Sequence, residues 1–128
     1  MGKKKIDRDI ALKVLAAVEA VKDALVDFLE SPNIIYQPKD WYGNIGDTVT
    51  FSVTAINVTG YRWQYSNDGG ATWNNSSASV QGYNTDTMSF TMEEGLESRY
   101  RRCRLTLPEG GYIYTNSVRS FLIENEGG

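Results

Sequence analysis

Tyr61-Arg62-Trp63-Gln64-Tyr65-Ser66, running into Asn67-Asp68-Gly69-Gly70-Ala71-Thr72-Trp73, is the stretch that decides the fold. In its first six residues large aromatics alternate with polar side chains, the period of a half-buried β-strand. Asn67 to Gly70 then supply a tight reversal, because Asn, Asp and Gly tolerate the backbone angles it needs. The same alternation recurs on both sides. It is found in Thr48-Val49-Thr50-Phe51-Ser52-Val53-Thr54-Ala55, Thr87-Met88-Ser89-Phe90-Thr91-Met92, Cys103-Arg104-Leu105-Thr106-Leu107 and Val118-Arg119-Ser120-Phe121-Leu122-Ile123. Further turn signals lie at Asn44 to Asp47 and Glu109 to Gly111. Several short strands at this spacing predict an antiparallel sandwich or barrel.

Ahead of Ser31-Pro32-Asn33 the period changes. Ala11, Val14, Val18, Val21, Leu25 and Phe28 recur at alternating steps of three and four, the a/d spacing of a coiled-coil seam. Leu12, Leu15, Val26 and Leu29 widen the apolar surface on one flank, and Ala17, Ala20 and Ala24 line another. Asp7 is a candidate N-cap, and Pro32 stops the helix because proline disfavours α geometry in the residue before it. The helix either packs on its own sandwich or meets other proteins. The width of the apolar surface favours the second. The expected organisation is a helix over 1–31, a sandwich over 33–124 and a flexible tail over 125–128.

Composition narrows the chemistry. The 128 residues are 41% hydrophobic and 23% charged, ordinary for one globular domain, and 12 glycines with 8 tyrosines suit strands and tight turns. The net charge of −3 argues against a dedicated nucleic-acid binder. Histidine is absent and Cys103 is the only cysteine, so an internal disulfide and nucleophile–histidine catalysis are excluded. A zinc site would lack its favoured ligands, and no cofactor is expected. Lys3 to Lys5 resemble the basic start of a secretory signal, but Asp7, Arg8, Asp9, Lys13 and Glu19 interrupt any apolar region behind them. The same charges forbid a membrane span. The expectation is a protein made in a cytoplasm.

The run from Gly46-Asp47-Thr48-Val49-Thr50-Phe51, through Tyr61 to Ser66, to Gly82-Tyr83-Asn84-Thr85 and Arg102-Cys103 resembles bacterial and phage immunoglobulin-like domains. These occur in phage capsid-decoration, head-fibre and tail proteins and in bacterial surface proteins. The resemblance spans roughly residues 33 to 124 and implies a mainly β fold, an immunoglobulin-like sandwich preceded by one long amphipathic helix. It makes Trp63 the core tryptophan of the third strand and Cys103 the cysteine of the sixth. Phe51 or Val53 stands where disulfide-bonded relatives carry the partner cysteine, so apolar packing replaces the bridge. Relatives place tyrosine two residues before that cysteine. Here Arg101 occupies the position, and a bulge restoring Tyr100 is the favoured expectation.

Ser66-x-Asp68-x-Gly70-x-Thr72-Trp73 also fits the Asp-box pattern seen repeatedly in sialidases, where it is a structural hairpin. One copy cannot build a propeller, so Asp68 and Trp73 are expected to stabilise a turn. Glu93, Glu94 and Glu97 read as solvated charge. Asp40, Asp47, Asp68 and Asp86 match no calcium loop. Arg102 and Arg104 should face outwards, opposite Cys103 and Leu105, and pair with nearby glutamates or with an acidic partner. With Tyr83, Tyr112 and Tyr114 they form the candidate binding surface.

Expected function follows from this architecture. An apolar helix joined to an immunoglobulin-like head resembles phage virion proteins that dock by an anchor and display the head on the capsid or tail. The expected partners are other virion proteins or further copies of the same protein, a trimer before a dimer. The alternative is a bacterial cell-surface or glycan-binding adhesion module, with the tyrosines stacking on a host-surface glycan.

Overall fold

The computed structural model describes residues 7–123; the lysines at 3 to 5 and the tail expected over 125–128 lie outside them. Helix α1 runs from Arg8 to Glu30 and is followed by ten strands. Asp7 caps its start, its carboxylate accepting the N–H of Asp9 at 2.7 Å. At the other end Ser31 is already extended, and Pro32 follows it.

The strands form two layers. In one, β1 (Asn33–Tyr36) pairs antiparallel with β4 (Thr54–Ile56), and β3 (Thr48–Ser52) pairs antiparallel with β7 (Thr87–Thr91). In the other, the order is β2 (Trp41–Gly43), β10 (Val118–Leu122), β8 (Tyr100–Thr106), β5 (Gly60–Ser66) and β6 (Asn74–Asn75). Strand β9 (Tyr112–Tyr114) lies against β8 on the side that β10 also uses. All these pairs are antiparallel except β2 with β10, which is parallel.

Alternation places the core between the layers. Along β8, Arg101, Cys103 and Leu105 are buried while the residues between them reach the outer face. From the opposite layer come Val49, Phe51 and Met88, and the Phe51 and Trp63 rings stack with centroids 6.4 Å apart. Trp63 is fully buried, and its indole N–H donates to the Thr85 carbonyl at 2.8 Å. A buried indole without such a partner would cost stability. Val53 and Met92 complete this part of the cluster.

Strands β5 and β8 run in unbroken register from Gly60↔Thr106 to Ser66↔Tyr100, so no bulge restores Tyr100. With the two-residue period intact, Arg101 takes the inward position and Tyr100 turns out beneath the Arg119 guanidinium, 5.0 Å from its ring centre.

The helix contributes nothing to this core, since none of its residues is buried. It meets the sandwich only at its C-terminal end. There the Asn33 side-chain amide donates to the carbonyls of Phe28 at 3.2 Å and Ser31 at 3.0 Å. The Asn57 amide donates to Leu29 and, at 3.0 Å, to Ser31. These bonds occupy carbonyls that have no partner inside a helix.

Candidate interaction surfaces

The first surface is the helix seam. Ala11, Val14, Val18, Val21, Leu25 and Phe28 are all exposed, Val21 at 61% and Leu25 at 58%. Leu12, Leu15 and Leu29 beside them are exposed as well, so the apolar surface is continuous along the rod. Val14, Ala17, Val18 and Val21 border a shallow, open apolar depression, where alanine leaves room between larger neighbours. A hollow bordered by branched side chains is what a knob from a second helix fills.

The second surface is the outer face of β5, β8 and β9, and arginine organises it. The Arg102 guanidinium sits between two rings, 4.2 Å from the centre of Trp73 and 4.1 Å from Tyr114. Its Nε donates to Gln64 Oε1 at 2.9 Å, and the Gln64 amide donates to Asn75. Arg104 lies over Tyr112 at 4.2 Å, its Nε buried without a partner. Arg62 lies over Tyr83 at 4.9 Å. The expectation for Arg102 and Arg104 is pairing with the nearby glutamates or with an acidic partner. The contacts found for Arg102 and Arg104 are rings and an amide instead, because cross-strand neighbours are closer than a loop.

Tyr83 is held differently from Tyr112 and Tyr114. It is half-buried against the core, and its carbonyl accepts the Trp63 N–H at 2.8 Å. Tyr112 and Tyr114 stay more open, 49% and 43% exposed. Each of these three rings has one face covered by a guanidinium, which leaves at most the other for stacking on a ligand.

The Asp68 hairpin is closed by its own residues. Ser66 Oγ donates to Asp68 at 2.6 Å and accepts the Gly70 N–H at 2.8 Å. Asp68 also accepts the Thr72 N–H at 2.8 Å and the Thr72 hydroxyl. These donors lower the Asp68 pKa to about 2, those of Ser66 and Thr72 contributing most. Gly69 and Gly70 have positive φ, and Trp73 folds back to bond the Gly70 carbonyl at 3.0 Å. The side chains of Ser66, Asp68 and Thr72 are spent inside the turn, while Asn67 accepts the Arg99 Nε–H. Trp73 thereby becomes the edge of the arginine face rather than part of the core.

Cys103 is fully buried, and burial pushes its thiol up to about 12. Glu97 accepts the Gly95 N–H at 2.8 Å within a short 3₁₀ turn over Leu96–Ser98 that the sequence pattern did not reveal. Among the described residues no group of three His, Cys, Asp or Glu side chains could hold a metal ion, and no helix is long and apolar enough to cross a membrane.

No protein-family model matches the sequence, and no curated protein matches it either. Solved structures do. An immunoglobulin pair of titin, domains A164–A165, is 18% identical with a TM-score of 0.50, covering 74% of this protein and 48% of that one. The titin M10–obscurin-like 1 immunoglobulin complex is 12% identical with a TM-score of 0.50, covering 73% and 95%. The twitchin kinase region of C. elegans is 14% identical with a TM-score of 0.51, covering 73% and 16%. Identities this low speak to the fold alone. The protein is mainly β, with an immunoglobulin-like fold behind one N-terminal helix.

Proposed function

We propose that this protein is a non-enzymatic interaction module whose N-terminal helix assembles with copies of itself or docks on a larger particle, leaving the sandwich exposed as a head. One observation carries the reading: a 23-residue helix with a continuous apolar seam and no buried residue. Residues such as Val18 and Leu25 gain about 1.5–3 kcal/mol each on full burial, a strong drive towards a partner. Apolar Leu15 and Leu29 on one side of the seam and Ala17 and Ala24 on the other would stay wet in a simple dimer. A trimer covers them better and is the favoured state.

The finer placement is a phage virion, with the helix as anchor and the sandwich displayed on the capsid or tail. It rests on the resemblance of residues 33 to 124 and on the joining of an apolar helix to such a head. The alternative is a cell-surface or glycan-binding adhesion module, which would use the open faces of Tyr112 and Tyr114. Removing residues 1–32 separates the parts. The remainder is expected to stay a folded monomer with unchanged melting, while the full-length protein self-associates or binds particles. Mass spectrometry of purified virions and a glycan array then divide the two placements.

A further inference from the structure

Arg101 is the anomaly of the interior. It is 3% exposed, and no hydrogen bond to its guanidinium is found among the described residues, but its nitrogens are not among the buried atoms left without a partner, so they reach the cleft beside it. One face is covered by the Phe90 ring at 4.0 Å. Arg101 lines a cleft of about 400 Å³ whose wall also includes Ser79, Thr91, Glu93 and Arg99. A guanidinium at the bottom of a cleft with no carboxylate paired with it leaves its N–H donors to water, and a ring face satisfies none of the five. Arg99 adds like charge to the same cleft. Its own Nε is committed to Asn67 at 2.9 Å and its plane to Tyr65 at 4.5 Å, so it is held in place. Burial and then the neighbouring Arg99 lower the Arg101 pKa to about 10, which still leaves it charged at neutral pH.

We propose that this cleft is a carboxylate-binding site, in which Arg101 grips an acidic side group or the free C-terminus of a peptide with its planar fork and Arg99 supports the charge from the rim. The guanidinium edge matches two carboxylate oxygens, whereas the ring on its flat side holds it still. Glu93 at the wall reduces the local charge to that of a single cation. A monoanion is therefore preferred over a phosphate dianion, and Ser79 and Thr91 add hydroxyl donors. The site lies on the sandwich and stands independently of the helix.

Isotope-labelled full-length protein titrated with acetate, and separately with inorganic phosphate, tests this through the Arg101 Nε–Hε resonance and the Phe90 ring signals. Acetate is expected to shift both saturably and to compete with a peptide bearing a free C-terminus. Phosphate should bind more weakly, and Arg101→Met should abolish the response. Glu93→Gln should tighten acetate binding roughly three- to tenfold by removing a repelling charge. An Arg101 signal that moves in Glu93→Gln without added anion, together with no acetate response in either protein, would mean that Glu93 is the native partner and would overturn the proposal. So would acetate shifts that persist in Arg101→Met, and so would phosphate binding tighter than acetate.

Discussion

Asn57 reaches across 26 residues to donate its side-chain amide to the Ser31 carbonyl at 3.0 Å, and it does so from a left-handed backbone with φ of 59°. The turn between β4 and β5 thereby receives the end of the helix. Asparagine suits the place twice, since it tolerates positive φ and offers two amide donors.

Asn57→Gly and Asn57→Ala separate those roles. Glycine keeps the backbone and loses only the amide, so sandwich stability should fall by about 1 kcal/mol or less. Alanine adds the left-handed penalty and should cost roughly 1–2 kcal/mol more. In both, relaxation of backbone amides should show the helix tumbling more independently of the sandwich. Unchanged coupling in Asn57→Gly would assign the joint to Asn33.

Trp63 fills the space between the layers and is bonded to Thr85. Trp63→Ala should lower the stability of the sandwich by roughly 3–5 kcal/mol in a urea melt. A loss under about 1 kcal/mol would show that this ring does not organise the core.

Much of this is legible in the sequence because period and burial are coupled. The alternation of Tyr61 to Ser66 and of Cys103 to Leu107 determines which side chains point inwards, and Pro32 determines where the helix stops. What escapes are features set by neighbours rather than by local pattern. Strands β1 and β6 are short and show little alternation. The ring partners of Arg102 and Arg104 follow from cross-strand register, which no run of residues displays. The expected bulge misplaces Arg101. Strict alternation from Cys103 back to Arg101 carries the correct signal.

Cys103 gives a pH dependence. Its pKa rises from the model-compound value of 9.0 to about 12 on folding, chiefly through burial, so the folded state favours the protonated thiol. The stability this provides is complete below pH 9 and is lost as pH rises through 12. Relative to the native protein, Cys103→Ala should show a flatter decline across that window. At neutral pH a thiol reagent should label native Cys103 only at the rate of unfolding, and immediate labelling would place the thiol at the surface.

Sedimentation equilibrium of the full-length protein against the double variant Val18→Asp, Leu25→Asp tests the helix most directly. The monomer mass is 14.3 kDa, and the native protein should run at a multiple of it, three times for the favoured trimer, while the variant runs as one. The sandwich of both should melt alike at matched buffer, because no helix residue is buried against it. A native protein that stays at 14.3 kDa at concentrations on the order of 0.1 mM and binds no particle, beside a variant whose sandwich melts lower, would contradict the account.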